Sequence, residues 1–526
     1  MDRNKMINRD EEKPIRLKNM LAYGGGDVFG GGSFTVLGLW LMYFYTTYGG
    51  LSPAEAGAVI ATARLLDAFF DPLMGYVTDN FWRNRLGQRF GRRGFFFLIG
   101  APLVFISYII MWASDMGFGY YLATYILFYA CYTLVIVPYE TLAAEMTHDF
   151  HVRSRLTGVR MFFSMGAGIL AAWLPGGIIA FLGKDASSSF LYMAIIFGTL
   201  FAVVILGLYF FTWERPIAVP EKPAPVEFKR DMKALFRSLL STFNVRTFRQ
   251  HVGMYLGAYV ALDVLGAVMA YYIIFVLGHN TVDAANSMTF MSVVQFFCIA
   301  AWIPLCIKIG NGPAYKLAQY FMLASVALFV SFYAFDIPTA LWMVWGAAIV
   351  MGMGRSGTQY VCWNIYSFIP DVDEMLTGKR REGIFAGVMT FVRKAVQAVA
   401  LFIVGMVLQT YHFAGKGATT QPPEAIHGIA LVFGIGAVIF LAVGLLSARR
   451  FRLNQHNHAL LIAEIQRRRA GGGAADASVQ TRQVAETLTG WPWASLWGNN
   501  DIMRRIDPRA ADLNQEGTTR HDPNSI

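Results

Sequence analysis

Residues 64–80 read RLLDAFFDPLMGYVTDN, a stretch that carries one arginine and three aspartates within a long apolar run. A charged side chain at the centre of a bilayer costs about 2.5–3.5 kcal/mol on insertion scales. With 100° per residue, Arg64, Asp67 and Asp71 fall within an arc of about 60° on one face of a helix. We expect this face to be turned into the protein interior or into a water-filled cavity, because lipid would not solvate it.

The composition around this stretch is typical of a membrane protein. Hydrophobic residues make up 55% of the 526-residue chain and charged residues 15%, whereas soluble domains carry about 25% charged residues. The apolar residues form repeated runs of about 20, the length that crosses a hydrocarbon layer of about 30 Å. We therefore predict an all-α membrane protein. The polar N-terminus lacks the apolar core of a cleavable signal peptide.

Twelve membrane-spanning helices are predicted, and the loops between them alternate in charge. The spans are residues 20–47, 53–80, 94–114, 119–146, 155–182, 188–212, 251–278, 283–309, 313–335, 338–369, 381–410 and 423–449. One set of loops is rich in arginine, whereas the opposite set carries only Lys184 and Lys416. The positive-inside rule then predicts that both termini are cytoplasmic. The net charge of +10 is explained by these loops and does not require a nucleic-acid partner.

The predicted spans divide the chain into two halves. The predicted regions are a cytoplasmic N-terminus (1–19), a six-helix bundle (20–212), a cytoplasmic linker (213–250), a second six-helix bundle (251–449) and a largely disordered cytoplasmic tail (450–526). Within the tail, 455–469 predicts a short amphipathic helix, and we expect the later tryptophans to lie at the membrane surface. Carriers built from two repeats hold their substrate near the midplane, between the halves.

Two carboxylates one turn apart in the second span predict a cation site. The oxygens of Asp67 and Asp71 can converge on Na⁺, or the pair can share a proton because like charges disfavour each other. The alternative is a purely structural ion pair, in which Arg64 neutralises one aspartate and leaves the other over. Asp79, at the end of the span, is expected to pair with loop arginines and to hold one conformation.

Further ionisable residues lie within the predicted spans. Each alone is explained almost as well by an interhelical salt bridge as by a substrate contact, but together they describe a polar cavity that crosses both halves. They are Asp27, Glu140, Glu145, Arg160, Asp263, Arg393 and Lys394. The aromatic candidates for the wall of this cavity are Tyr43, Tyr132, Trp363 and Tyr366. The four cysteines lie in apolar runs and are expected to be free thiols.

Three stretches of the chain carry a family pattern. They are DAFFDPLMGYVTDN with LGQRFGRRGFFFLIGAP, VPYETLAAEMTHDFHVRSRLTGVRMFF, and TGKRREGIFAGVMTFVRKAVQA. These stretches resemble the glycoside–pentoside–hexuronide:cation symporters, the melibiose-carrier branch of the major facilitator superfamily. The resemblance covers residues 20–450 in order. It implies a major facilitator fold of two six-helix bundles, alternating access, and Na⁺, Li⁺ or H⁺ as the coupling cation.

The resemblance also implies roles for individual residues. Asp67 and Asp71 match the cation-site aspartates of the family, and Thr133 falls beside them. The candidate substrate contacts are Asp27, Tyr132, Glu140, Arg160, Asp263 and Lys394. The charges expected to act in gating or in holding the structure are Arg64, Asp79, Arg92 and Arg93.

The chain departs from the melibiose carrier at the sugar. Gly31 and Ile136 stand where that carrier has the two aspartates that hold galactosyl hydroxyls. Transport of melibiose itself is therefore not implied, and Asp27, Glu140 and Asp263 are the candidate replacement polar groups.

The sequence predicts a secondary active transporter in the bacterial inner membrane. It would be a monomer without an organic cofactor, surrounded by membrane lipid, that moves a sugar, glycoside or uronide together with Na⁺ or H⁺. An amphipathic or lysolipid-like solute is the alternative, because animal lysolipid carriers resemble the same family. An enzyme is disfavoured because no HExxH, nucleophile elbow or paired metal ligands occur, and His148 and His151 read as solvated loop residues. A non-transporting sensor would not need intramembrane charges.

Overall fold

The computed structural model describes residues 14–147, 150–182, 188–214, 237–379, 381–415 and 420–502. Twelve long helices run through these residues, and the described part of the chain contains no strand. They are α1 (Leu17–Thr47), α2 (Pro53–Asn80), α3 (Gly94–Ile110), α4 (Phe118–Met146), α5 (Phe150–Leu182), α6 (Ser188–Phe211), α7 (Arg246–Val276), α8 (Thr281–Ile309), α9 (Asn311–Ala334), α10 (Leu341–Tyr366), α11 (Glu382–Thr410) and α12 (Pro423–Arg449).

Nine of these helices, among the described residues, are long and apolar enough to cross a membrane. The other three are α2, α3 and α10. Of these, α3 has 17 residues, whereas α2 and α10 carry charged side chains within their apolar runs. The predicted all-α membrane architecture is confirmed, and the predicted order of twelve helices matches the order of the long helices.

Each bundle is held together by close helix packing. In the N-terminal bundle, α1 packs against α5 and α6, α2 against α4, and α3 against α6. In the C-terminal bundle, α7 packs against α12, and α10 packs against both α8 and α9. Glycines allow α1 and α5 to approach: a Cβ at Gly32 would lie 2.8 Å from Ala167 Cβ, and one at Gly31 would overlap Ser164 Oγ. An aspartate side chain at position 31 therefore has no room in this packing.

The two bundles meet chiefly through α2 with α11 and α5 with α8. At the end away from the arginine-rich loops, Thr46 Oγ1 lies 2.6 Å from Tyr271 Oη and Tyr43 Oη lies 3.3 Å from Thr281 Oγ1. A Cβ at Gly57 would lie 3.1 Å from the Leu401 carbonyl oxygen, so the backbones of α2 and α11 are also close there. These contacts join the two bundles at the end opposite the arginine-rich loops.

The arginine-rich end of the N-terminal bundle is fixed by two glutamates. Arg93 Nη2 lies 2.8 Å from Glu145 Oε1, and Arg92 also pairs with Glu145. The backbone amides of both arginines donate to Glu214, at 2.7 and 2.8 Å. Arg92 and Arg93 thus join the ends of α3, α4 and α6 within one bundle. The side chain of Asp79, their predicted partner, lies outside the described residues.

The tail differs from the prediction of a largely disordered segment. Residues 450–502 fold into α13 (Gln455–Arg469) and α14 (Val479–Thr489), which pack on the short helix Ile369–Thr377 that follows α10. The predicted amphipathic helix 455–469 is α13. Its apolar side chains are buried against the short helix, and this partner surface is created only by the folded C-terminal bundle. Residues 503–526 lie outside the described residues.

The tryptophans of the tail bond to the protein. Trp491 Nε1 donates to the Asn244 carbonyl at 3.0 Å, and the Trp497 amide donates to the Met375 carbonyl at 2.8 Å. The Trp493 ring packs against guanidinium groups of the tail. These contacts give the tryptophans a structural role in docking the tail.

Candidate functional site

Asp67 and Asp71 of α2 form an ionic cluster with Lys394 of α11. Lys394 Nζ lies 2.6 Å from Asp67 Oδ2 and 2.6 Å from Asp71 Oδ2. Thr133 of α4 donates to Asp67 Oδ1 at 2.8 Å and lies 3.5 Å from Asp71 Oδ1. The sequence placed both carboxylates on one face of a helix, and the fold adds a cation from the other bundle.

The net charge of the cluster would be neutralised by one further monovalent cation. Two carboxylates face one ammonium, so the cluster carries a net charge of −1 when both carboxylates are ionised. Asp67 is 0% exposed, and the Lys394 ammonium, 2.6 Å from its Oδ2, is shared with Asp71. A buried pair of carboxylates that shares a single ammonium is a fitting site for a cation or a proton.

Arg64 is not the partner of these aspartates. Among the described residues, no carboxylate lies within 4.0 Å of its guanidinium; the group lies 4.7 Å from the Phe34 ring centroid and 5.3 Å from that of Tyr129. The sequence allowed an ion pair between Arg64 and one of the aspartates. In the structure Lys394 makes the ion pairs with both aspartates instead. Arg64 lines a cavity between the bundles together with Asp263 of α7, so its charge faces the C-terminal bundle.

A second ionic cluster lies within the N-terminal bundle. Arg160 Nε donates to Asp27 Oδ1 at 3.0 Å, and Arg160 Nη2 lies 4.0 Å from Glu140 Oε1. The Glu140 side chain is 59% exposed, although it lies within α4 and interacts electrostatically with Asp71 and Lys394. Glu140 therefore faces an open space between the bundles, next to the cation cluster.

Tyr132 and Gly31 lie in the core of the N-terminal bundle. The Tyr132 hydroxyl donates to the Gly30 carbonyl at 3.3 Å, and the Tyr132 ring packs against Phe29 and Phe34. In this arrangement the side chain of Tyr132 supports α1 and does not reach the open space. Tyr132 still interacts electrostatically with Glu140 and Asp27, so it lies near these candidates without facing the open space.

A third cluster, in the C-terminal bundle, contains a residue that the sequence reasoning missed. Arg393 Nη2 of α11 lies 3.5 Å from Asp263 Oδ1. This contact is an interhelical salt bridge, one of the two explanations that the sequence analysis gave for these residues. Arg355 of α10 donates through Nε to Gln295 Oε1 at 3.2 Å, and Gln295 Nε2 donates to Gln359 Oε1 at 2.6 Å. Arg355 is a lone charge within an apolar run, the same signal as the other candidates, so the sequence carried the signal that would have identified it.

The remaining predictions concern cysteines, histidines and aromatic residues. All four cysteines are free thiols, as predicted. His148 and the side chain of His151 lie outside the described residues. Trp363 packs against Tyr255 and Tyr366, and the neighbouring Tyr259 ring lies 4.5 Å from the Arg393 guanidinium of the third cluster. Within the described residues no group of three or more histidine, cysteine or acidic side chains is placed to hold a metal ion.

Comparison with known proteins agrees with this architecture. A family model described as MFS/sugar transport protein matches residues 22–455. The chain belongs to this family. An MFS/sugar transport protein is a multi-pass membrane transporter, not an enzyme, and the predicted relationship to sugar and glycoside symporters of the major facilitator superfamily is confirmed.

Individual relatives of this MFS protein are distant but cover nearly the whole fold. An uncharacterized symporter of Synechocystis sp. is 26% identical, over 86% of this chain and 97% of the relative. The glucuronide carrier protein homolog of Escherichia coli is 25% identical, over 86% of this chain and 96% of the relative. The crystal structure of a D-xylose-proton symporter matches with a TM-score of 0.56 at 16% identity, over 82% of this chain and 96% of that structure. At 16% identity, the similarity to this crystal structure shows a shared fold and does not indicate the substrate.

Proposed function

We propose that the protein is a symporter that couples entry of Na⁺ or H⁺ to movement of a sugar, glycoside or uronide by alternating access. The observation that carries this proposal is the contact of Lys394, on the C-terminal bundle, with both Asp67 and Asp71, on the N-terminal bundle. Two bundles that move against each other must break or remake this contact. A cation at the aspartates would therefore change the free energy of the movement.

The coupling follows from competition for the same oxygens. Lys394 neutralises one of the two carboxylates in the present arrangement. When Na⁺ or a proton binds at Asp67 or Asp71, the attraction of that carboxylate for the Lys394 ammonium falls, and α2 and α11 are held together less strongly. Cation binding thus favours a rearrangement at the α2–α11 contact, where a ligand between the bundles would sense it.

The polar lining of the open space supports a sugar-like substrate. Glu140 faces this space, and the ion pairs beside it, Arg160 with Asp27 in the N-terminal bundle and Arg393 with Asp263 in the C-terminal bundle, offer donors and acceptors that suit hydroxyl groups. A lysolipid would place its acyl chain among these charges, at a large desolvation cost. The names of the relatives, which include a glucuronide carrier homolog and symporters, support the same class. We also propose that the protein acts as a monomer in a bacterial inner membrane, with both termini in the cytoplasm.

The test uses purified protein, a panel of sugars, glycosides, uronides and lysolipids, and two variants. Asp71→Asn removes one carboxylate of the cation cluster, whereas Asp336→Asn is a matched control in an exposed turn at the opposite end of the bundle. A ligand that binds the folded state raises the melting temperature by mass action. We expect a sugar or uronide to stabilise the wild type and Asp336→Asn, and Na⁺ or a lower pH to enlarge this effect.

In Asp71→Asn we expect the solute effect to lose its dependence on Na⁺ and pH. If that dependence survives in Asp71→Asn, the assignment of the cation site is wrong. Stabilisation by lysolipids alone would move the substrate to the amphipathic class. Counterflow in proteoliposomes with the stabilising solute then checks that binding leads to transport.

A further inference from the structure

We propose that Arg355 of α10, with Arg393 of α11, forms an oxyanion subsite that binds the carboxylate of an acidic sugar. The inference rests on the proposed function and narrows its substrate to a uronide. It concerns the third cluster, which the cation-coupling argument does not use.

The first step is an imbalance of charge. Arg393 Nη2 lies 3.5 Å from Asp263 Oδ1, and Arg64 and Arg355 also interact electrostatically with this carboxylate. This cluster carries two positive charges in excess, whereas the Lys394 cluster and the Arg160 cluster each carry one negative charge in excess. Among the described residues of these three clusters, the excess of positive charge therefore lies around Asp263, where Arg64 of α2 faces Arg355 and Arg393 of the C-terminal bundle.

The second step is the geometry of Arg355. Its Nε is held by Gln295 at 3.2 Å, and Gln295 is held in turn by Gln359. Neither terminal nitrogen of Arg355 has a hydrogen-bond partner in the described part of the chain, and neither is among the fully buried unpartnered atoms. A guanidinium that is anchored through Nε and open at both terminal nitrogens is oriented to receive a carboxylate through two parallel hydrogen bonds.

The third step is the position of this cluster. Asp263 and Arg64 line the cavity between the bundles, and Arg355 interacts electrostatically with Asp263. Arg393 is one residue before Lys394, so the anion subsite and the cation cluster share α11. A ligand carboxylate at Arg355 and a cation at Asp67 and Asp71 would each be neutralised by fixed charges of the protein.

The competing explanation is that Arg355 only ties α8 to α10 through Gln295. A neutral glutamine would make the same hydrogen bond without placing an uncompensated charge in a membrane helix, where an arginine costs about 2.5–3.5 kcal/mol on insertion scales. A bound carboxylate would offset that cost. A structural tie would affect all ligands alike, whereas an anion subsite separates charged from neutral sugars.

The experiment compares two probes that differ only at C6, methyl glucuronide and methyl glucoside. Their dissociation constants are measured with purified wild type, Arg355→Gln, Arg355→Lys and the control Arg449→Gln, whose side chain is exposed at the end of α12. We expect the wild type and Arg449→Gln to bind the glucuronide more tightly than the glucoside. Arg355→Gln should weaken glucuronide binding by about 10- to 100-fold and leave glucoside binding unchanged. The affinity of Arg355→Lys for the glucuronide should lie between those of the wild type and Arg355→Gln.

Gln295→Glu provides a second variant that keeps the arginine. It places a carboxylate beside Arg355 Nε, so it should weaken glucuronide binding selectively even if Arg355→Gln does not fold. Equal affinity of the wild type for both probes, or equal weakening of both by Arg355→Gln, overturns the subsite while the symporter proposal stands. Absence of binding for every sugar and uronide, without any effect of Na⁺ or pH, overturns the proposed function and the subsite together.

Discussion

Replacement of Lys394 by glutamine tests the ionic cluster most directly. The variant removes an ammonium that lies 2.6 Å from each of two carboxylates, and it leaves Asp67, which is 0% exposed, without a charge partner. Breaking a buried ion pair by removing one partner costs about 3–5 kcal/mol. Because folded proteins are stable by only about 5–15 kcal/mol, we expect a large loss of thermal stability in a sodium-free buffer at alkaline pH.

The same reasoning predicts that the loss is recoverable. A cation that occupies the place of the ammonium stabilises the folded state by about 2.7 kcal/mol at a hundredfold excess over its dissociation constant. We expect NaCl, but not choline chloride at equal ionic strength, or else acidification, to restore most of the melting temperature of Lys394→Gln. The assay is thermal unfolding of purified protein in both salts at two pH values.

The matched control is Lys308→Gln, which removes an exposed lysine at the end of α8. It should change the melting temperature little and show no response to the choice of cation. If the melting temperature of Lys394→Gln changes as little as that of this control, the charges of Asp67 and Asp71 are not stabilised by Lys394. If it is destabilised equally under all four conditions, the cluster is structural and does not accept a coupling cation.

Three further predictions concern packing and the tail. Gly31→Asp, which restores the family's aspartate, should lower stability by about 1–3 kcal/mol because its side chain meets Ser164, and Ser164→Gly should recover part of this loss in thermal unfolding. Arg469→Gln removes paired hydrogen bonds of 2.7 Å to the buried Glu374, so hydrogen exchange in the short helix after α10 should become faster, whereas no change would mean that the tail docks without this contact. Burial works to raise the pKa of Glu464, but hydrogen bonds from neighbouring arginines prevail and the pKa lies below its usual 4.5. The group therefore stabilises the docked tail at neutral pH, and its contribution is lost as the pH falls below about 4.5; hydrogen exchange in α13 should show this dependence in the wild type and lose it in Glu464→Gln.

Local patterns in the sequence were sufficient to predict the helices and the two aspartates of the cation cluster. Apolar runs of about 20 residues specify membrane helices because the bilayer has a fixed thickness. The spacing of Asp67 and Asp71 places them together because a helix has a fixed pitch. The alternative in which Arg64 pairs directly with one of them was also local reasoning; in the structure the side chain of Arg64 packs on aromatic rings from α1 and α4.

The partners that come from distant parts of the chain could not be read from the sequence. Lys394 lies 323 residues from Asp71, and only the packing of α11 against α2 shows that its ammonium bridges both carboxylates. The tail is a similar case: α13 has a polar composition, but the folded C-terminal bundle presents an apolar and acidic surface that buries one side of it.

The sequence by itself determined the membrane-spanning helices, the family and the presence of intramembrane charges, because hydrophobic length, helical pitch and the cost of burying charge act within short segments. The tertiary structure decided which charges meet. It joined Lys394 to the aspartate pair, placed Arg355 beside an excess of positive charge and docked the tail. These pairings depend on contacts between helices, where side chains from remote segments compete for the same few buried partners.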